Sequence, residues 1–127
     1  MDLHEIEAKI AQLLDPLKVE VYFGRDAVDD LKNYRREINV ILSLIVAMAR
    51  KGPLIKPKGC GEPLHGKLTG FTKIKPKAMS LRIVYRPVEA GDKIRMEVIA
   101  IGPRDKEEVY ELAARRIVAF KEEMARR

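Results

Sequence analysis

Residues 52–70 constrain the fold of this chain more than any other stretch. The segment GPLIKPKGCGEPLHGKLTG holds three prolines and five glycines. A helix cannot continue through it, because proline has no N–H for the helical hydrogen bond and glycine is disfavoured in helix interiors. We therefore predict a loop here. Most helical patterns precede this loop, and most strand patterns follow it.

Two elements are predicted at the start of the chain. Apolar residues recur at helical spacing over roughly residues 2–14, with Asp2 as the N-cap, and the pattern ends at Asp15-Pro16. A first strand, Lys18 to Phe23, has the β-branched and aromatic residues and the alternation that strands favour, and it ends at Gly24.

A helical hairpin is predicted for residues 25–51. The apolar spacing is near 3.6 residues, and we expect a break around Asn33 to Arg36. The second helix, from Ile38 to Ala49, is almost wholly apolar but too short for a bilayer, which needs about 20 residues. With a charged N-terminus and no signal peptide pattern, the chain is expected to be cytoplasmic, with no membrane partner.

After the loop, three strands and a last helix are predicted. Phe71 to Arg86 indicates two short strands, and Ile94 to Ile101 a third that pairs with residues 81–86. Asp105, three residues before Glu108, favours a capped helix start there. The predicted fold is a single α+β domain in which helices pack on one sheet.

Positive charge is concentrated in one part of the sequence. Residues 50–86 carry ten Lys and Arg and one Glu, whereas residues 1–49 carry six and nine acidic residues and residues 87–127 carry nine of each. Such a segment favours an anionic partner, either nucleic acid phosphate or an acidic protein surface. The alternative is a solvated lysine-rich face that only maintains solubility.

The predicted strands would display part of this charge on one face. Side chains alternate along a strand, so Lys73 and Lys75 point the same way, and Arg82 and Arg86 share a face. The opposite face of the second strand carries Leu81, Ile83 and Tyr85, which can be buried.

The residue types exclude several kinds of chemistry. Cys60 is the single cysteine, and His4 and His65 are the two histidines. No disulfide framework, zinc-spaced cluster or two-histidine ribonuclease is therefore expected, and no metal or cofactor is predicted. No carboxylate pair or Ser-His-Asp set is evident either.

Metal-free cleavage of RNA by its own 2′-hydroxyl is compatible with these residues. The protein then has only to move two protons and stabilise charge on the phosphorane. Candidates for these tasks are Lys73, Lys75, Arg82, Arg104 and Tyr110. Each also has a purely structural explanation: an edge-strand lysine, a surface ion pair or a core tyrosine.

Three stretches closely resemble the RelE branch of the RelE/ParE toxin superfamily. They are LHGKLTGFTKIKPKAMSLRIVYR, KIRMEVIAIG and PRDKEEVYELAARRI, in the family's order and spacing over roughly residues 18–118. Members of this branch cut messenger RNA at the ribosome without a metal. The resemblance therefore implies an endoribonuclease whose partners are mRNA, the 70S ribosome and an antitoxin that covers the basic surface, forming a hetero-oligomer.

The resemblance also implies a role for each candidate. Lys75 would be the general base, with Lys73 assisting charge neutralisation. Arg82 would stabilise the phosphate, Arg104 would be the acid, and Tyr110 would stack on or orient the nucleotide. Other basic side chains expected to bind RNA are Lys56, Lys58, Lys67, Lys77 and Arg86.

For the fold, the resemblance implies an antiparallel sheet of three to four strands with a helical hairpin on one face and a C-terminal helix. Residues 1–17 would be an N-terminal helical extension of a toxin domain at residues 18–127. Pro76 departs from the family pattern and favours an edge position for its strand. The competing functions are a ParE-like poison of DNA gyrase and a non-catalytic homologue that binds only nucleic acid or an antitoxin.

Overall fold

The computed structural model describes residues 3–127, so the predicted N-cap Asp2 lies outside the described residues. The elements are α1 (Leu3–Leu14), β1 (Val19–Phe23), α2 (Arg25–Asn33), α3 (Ile38–Lys51), β2 (Thr72–Ile74), β3 (Leu81–Ala90), β4 (Lys93–Pro103) and α4 (Glu108–Ala125). A 3-10 turn at Arg35–Glu37 separates α2 from α3. The predicted helical hairpin and the break within it are therefore confirmed.

The four strands form one sheet in the order β1-β4-β3-β2. β2 pairs antiparallel with β3, and β3 pairs antiparallel with β4. β1 lies parallel to β4, with Val19 opposite Ile94, so the sheet is mostly antiparallel, as predicted, with one parallel pair. The long connection between β1 and β4 permits this, because parallel neighbours need a crossover and cannot be joined by a tight turn.

β3 is longer than predicted and continues through Pro87 to Ala90. β2 pairs only with residues 83–85, so the outer side of β3 has no strand neighbour at Pro87. A residue without an N–H is tolerated at such an edge. β2 forms one edge of the sheet, as Pro76 predicted.

Separate clusters of apolar residues cover the two faces of the sheet. On one face α1, α2 and α3 pack over Ile83, Tyr85 and Ile101. On the other face α4 and the end of the loop pack over Val84 and Ala100. Ile6, Ile10 and Leu14 of α1 belong to the first cluster, so α1 packs against the core on that face of the sheet. The division at residue 17 stays a prediction.

The helix α4 does not begin as predicted. A 3-10 turn at Asp105–Glu107 comes first, and α4 starts at Glu108 with no side-chain cap; Glu107 has φ 58°. Within residues 3–127, none of the helices has the length and apolar character needed to cross a bilayer.

Beyond the end of β1, the Asp30–Arg116 ion pair makes hydrogen bonds to the free backbone groups of β4. Gly24 N–H donates to Val98 O, and the chain then turns into α2. Beyond this point Asp30 accepts a hydrogen bond from Ile101 N–H (2.9 Å), while Arg116 donates to Ile99 O (3.0 Å). Arg116 also donates to both oxygens of Asp30, at 2.7 and 3.0 Å. These side chains thus satisfy backbone groups of β4 that no strand pairs with, and they connect α2 to α4.

We expect Asp30→Asn to lower the free energy of unfolding by about 2–3 kcal/mol, since hydrogen bonds to charged groups contribute about 1.5–3 kcal/mol each and Arg116 loses its charge partner. Urea unfolding followed by circular dichroism measures this. Asp29→Asn is the matched control, because Asp29 is 67% exposed and only approaches Lys32 at 3.9 Å. Equal effects of the two substitutions would contradict the role given to Asp30.

Candidate functional site

Four of the five predicted catalytic residues are brought together by the strand register at one end of the sheet. Lys73 lies opposite Val84, and Ile74 lies opposite Ile83. The next positions along these two chain segments are Lys75 and Arg82. Arg82 in turn lies opposite Gly102 of β4, two residues before Arg104. Backbone positions that are distant in sequence are therefore neighbours across three adjacent segments.

Arg104 is fixed at this end by a backbone contact. Its N–H donates to Ser80 O at 3.2 Å, just after the last pair of the β3–β4 ladder, Leu81 and Pro103. The Arg104 side chain is exposed, and that of Arg82 is partly buried.

The fifth residue, Tyr110, lies in the first turn of α4. Its ring is partly buried against the second apolar cluster, and Lys73 Nζ lies over the ring, 5.6 Å from its centroid. This is within the range of a cation–π contact. The Tyr110 side chain is therefore half-buried, and its contact with Lys73 connects α4 to β2.

The candidate cations are largely free of ion pairs. Among the residues the structure describes, no salt bridge engages Lys73, Arg82 or Arg104. A surface ion pair, the alternative role considered for the two arginines, is therefore not what holds them. Unpaired cations gathered in one place create a local positive potential that attracts phosphate.

Glu62 is a site residue that the sequence analysis missed. Its Oε2 lies 3.5 Å from Lys75 Nζ, and both side chains are about half exposed. Thr72 Oγ1 donates to Glu62 O at 2.7 Å, which fixes the loop beside β2. Glu62 is the one acidic residue between residues 50 and 86, and that isolation was the available signal.

The predicted RNA-binding residues are dispersed. Lys56, Lys67 and Lys77 are exposed. Lys58 pairs with Glu89 at 3.1 Å, and Glu89 lies seven residues along β3 from Arg82, roughly 20 Å away at the rise of a strand. Lys58 is therefore not close to Arg82, and a role for it in RNA binding stays a prediction.

Arg86 points into the protein. It binds Glu97 through Nε (2.8 Å) and Nη2 (2.7 Å), and its guanidinium lies 5.8 Å from the ring centroids of Phe71 and Phe120. Glu97 is 2% exposed and also pairs with Arg95 at 3.1 Å. Arg86 thus shares a face with Arg82, as predicted, but α4 and Phe71 cover it and its charge is engaged.

The loop before the site is tied to the core by Tyr85. The Tyr85 hydroxyl donates to Pro53 O at 2.7 Å, and burial, with a smaller contribution from nearby Cys60, raises the pKa of Tyr85 far above its usual range. The hydroxyl therefore stays protonated and donating at any physiological pH. Among the described residues, no group of three or more His, Cys, Asp or Glu side chains is placed to hold a metal ion.

The contact with Lys73 leads to a prediction about Tyr110. On the predicted role of Tyr110 in stacking on RNA, we expect Tyr110→Ala to weaken RNA binding by about 1–3 kcal/mol, because base–aromatic stacking contributes about that much per base. Tyr110→Phe should bind nearly as well as wild type, since it retains the ring. Fluorescence anisotropy with a short labelled RNA measures both variants. Equal loss in both would show that the hydroxyl, and not the ring, makes the contact.

Two solved toxin structures are similar to this chain. One is a YoeB/ParE toxin from Agrobacterium tumefaciens, with TM-score 0.50 and 26% sequence identity over 66% of this chain and 97% of that one. The other is a double arginine-to-alanine variant of the E. coli toxin RelE in the free state, with TM-score 0.53 and 25% identity over 76% of this chain and 95% of that one. Comparison with protein-family models and with curated proteins yields no match.

Proposed function

We propose that this chain, which belongs to the RelE/ParE toxin superfamily, is the toxin of a type II toxin–antitoxin pair and cleaves messenger RNA at the ribosome without a metal. Its partners would be a cognate antitoxin, mRNA and the 70S ribosome, and it would act in the cytoplasm. The observation that supports the nuclease proposal is that three cations without a described salt bridge, Lys73, Arg82 and Arg104, lie on adjacent segments at one end of the sheet, with Lys73 over the ring of Tyr110.

The reaction assigned to this cluster is attack of the 2′-hydroxyl on the adjacent phosphate. The 2′-oxygen loses its proton and bonds to phosphorus, and the bond from phosphorus to the 5′-oxygen breaks as that oxygen is protonated. The products are a 2′,3′-cyclic phosphate and a 5′-hydroxyl. Arg82 would stabilise the extra negative charge on the phosphorane, which is largest in the transition state.

The proton donor proposed for the 5′-oxygen is Arg104, whose exposed guanidinium follows β4. Tyr110 would hold an unstacked base against its ring, a recognition mode common in proteins that read single-stranded RNA. Lys73, lying over the same ring, would neutralise phosphate charge beside that base.

Two side chains compete for the role of general base. Lys75 is the family-based choice, but it must lose a proton before it can accept one. Glu62, whose Oε2 lies 3.5 Å from Lys75 Nζ, is the second candidate, because a carboxylate is a common general base. The variants Lys75→Ala and Glu62→Gln distinguish the two candidates. Substitution of the general base should lower the cleavage rate by about 10²–10⁴, whereas substitution of the other residue should mainly change the affinity for RNA.

An expression experiment tests the proposed function against its rivals. Wild type and the double variant Lys75→Ala, Arg82→Ala are expressed in bacteria, growth is followed, and mRNA 5′ ends are mapped by primer extension. We expect growth arrest with codon-phased cuts for wild type and neither for the variant.

Other outcomes would replace the proposal. Growth arrest with intact transcripts and induced DNA damage would identify a ParE-like gyrase poison. Absence of toxicity, with RNA or antitoxin binding retained, would identify a non-catalytic homologue.

A further inference from the structure

The helix α2 runs along the part of the β4 edge that β1 leaves free. β1 pairs with β4 only as far as Val98, and further along α2 the carboxylate of Asp30 accepts a hydrogen bond from Ile101 N–H. The helix therefore advances in the same direction as β4. Tyr34 follows Asp30 by one helical turn, about 6 Å of rise, and its N–H donates to Asp30 O. Tyr34 thus reaches the level of Gly102, at the end of the sheet that carries the candidate cations.

The electrostatic surroundings of Tyr34 indicate the same location. Burial, and after it the carboxylates of Asp30, Glu37 and Glu108, raise the pKa of the Tyr34 hydroxyl above its usual value. Glu108 is the first residue of α4, two positions before Tyr110. Because such effects weaken with distance, the Tyr34 hydroxyl lies towards the start of α4. It also stays protonated at neutral pH, so the ring remains uncharged.

Two half-buried tyrosines therefore flank the end of β4. The ring of Tyr34 packs against the apolar cluster on the face of α1, α2 and α3, and the ring of Tyr110 packs against the cluster on the face of α4. Arg104 follows the end of β4 between these faces. A ring that is held by packing on one side and reaches water on the other can stack an unpaired base.

Two cations adjoin the Tyr34 ring in sequence. Arg35 and Arg36 form the turn between α2 and α3. Both side chains are exposed, and among the described residues no salt bridge engages either of them. An aromatic platform next to available cations is the combination with which proteins hold single-stranded nucleic acid.

We propose that Tyr34 forms a second nucleotide subsite, which stacks a base flanking the scissile phosphate while Arg35 and Arg36 contact the adjacent phosphates. The inference rests on the proposed function, because it places the RNA strand across the end of β4, with one base on Tyr110 and another on Tyr34. The subsite would then determine which nucleotides beside the cleaved bond are bound well.

The carboxylates near the ring give the subsite a base preference. Asp30 is engaged by Arg116, whereas no described ion pair engages Glu37 or Glu108. A carboxylate accepts a hydrogen bond from the exocyclic amino group of cytosine, but uracil presents a carbonyl oxygen at that position. Cytosine should therefore bind at Tyr34 more tightly than uracil.

The test uses the full-length protein and a single-stranded 2′-O-methyl oligonucleotide, which lacks the 2′-hydroxyl that cleavage requires. Each base is removed in turn, and binding is followed by fluorescence anisotropy. At one position, loss of the base should weaken binding to wild type about tenfold but should not weaken binding to Tyr34→Ala. A different position should show this relation with Tyr110→Ala. Tyr34→Phe, which retains the ring, should recover the dependence on the first base.

Other results of the same series would overturn the subsite. If base removal at every position weakens binding to Tyr34→Ala as much as binding to wild type, no base stacks on Tyr34. If Tyr34→Ala and Tyr110→Ala are insensitive to the same base, the two rings do not form separate subsites.

A comparison of cytosine with uracil at the Tyr34 position tests the base preference. Wild type should bind the cytosine oligonucleotide several-fold more tightly, and the double variant Glu37→Gln, Glu108→Gln should bind the two oligonucleotides nearly equally. Equal binding of the two by wild type would contradict the preference assigned to the carboxylates.

Exposed substitutions keep the proposal testable if Tyr34→Ala fails to fold. The double variant Arg35→Gln, Arg36→Gln should reduce the salt dependence of oligonucleotide binding, because each phosphate contact contributes about 0.7 to the slope for a single strand. The matched control is Arg25→Gln, exposed at the opposite end of α2, which should leave the slope unchanged. Equal slopes for wild type and both variants would overturn the proposal.

These measurements use RNA that cannot be cut, so their outcome is separate from that of the nuclease proposal. If a base depends on Tyr34 but wild type leaves mRNA intact, the nuclease proposal fails and the RNA subsite stands. If wild type cuts mRNA but no base depends on Tyr34, the reverse holds.

Discussion

Arg82→Ala should reduce the rate of RNA cleavage by about 10²–10³, the usual cost of removing one group that stabilises transition-state charge. Arg82 lies opposite Gly102 and directly before Ile83, which pairs with Ile74. No ion pair in the described residues engages it. Its charge is therefore available to a phosphate. Single-turnover cleavage of ribosome-bound mRNA measures the rate with binding saturated.

Arg82→Lys should recover only part of the loss. An ammonium restores the charge but not the planar pair of donors that an arginine offers to phosphate oxygens. The matched control is Arg126→Ala, at the far end of α4, about 27 Å from its first residue for an 18-residue helix. A cleavage rate within twofold of wild type for Arg82→Ala, or an equal loss in Arg126→Ala, would remove Arg82 from the mechanism.

Glu97→Gln should lower the free energy of unfolding by about 3–5 kcal/mol, because breaking a buried ion pair leaves an uncompensated charge. Glu97 is 2% exposed and lies between Arg86 and Arg95, whose side chains are 24% and 18% exposed. Two atoms of Arg95, Nε and Nη2, are buried with no well-formed hydrogen bond. The carboxylate is therefore the main compensation for two partly buried cations.

Chemical denaturation of Glu97→Gln and of Glu89→Gln provides the comparison. Glu89 pairs with Lys58 at 3.1 Å, but its side chain is 58% exposed, so its loss should cost about 0–1 kcal/mol. A double variant, Glu97→Gln with Arg95→Met, should recover part of the stability by removing one buried cation. Near-equal stability of the two single variants would show that Glu97 does not compensate the arginines.

Much of the fold follows from local sequence pattern. The prolines and glycines of residues 52–70 predicted the loop, and the apolar spacing of residues 25–51 predicted two helices with a break around Asn33 to Arg36. Patterns of this kind act within a few residues. The parallel pairing of β1 with β4 was not predictable in the same way, because it depends on how segments more than 70 residues apart dock.

The candidate site was predictable in part for the same reason. Two-residue spacing placed Lys73 with Lys75, the predicted strand pairing suggested Arg104 and Tyr110, and the resemblance supplied a role for each. Arg86 was different: alternation correctly assigned its face, but alternation gives no information on what covers that face, and Phe120 and Glu97 come from distant parts of the chain. The pairing of Glu62 with Lys75 depends on the path of a loop, which has no periodic pattern to read.

The most direct test of the central claim is cleavage of an mRNA that carries a single 2′-deoxynucleotide on the 5′ side of the scissile phosphate, at a position first mapped on the unmodified message. If the ribose supplies the nucleophile to a cationic, metal-free site, cutting there should cease, while the unmodified message gives a 2′,3′-cyclic phosphate and a 5′-hydroxyl. Cleavage of the deoxy-substituted message at the same position and rate would contradict the account.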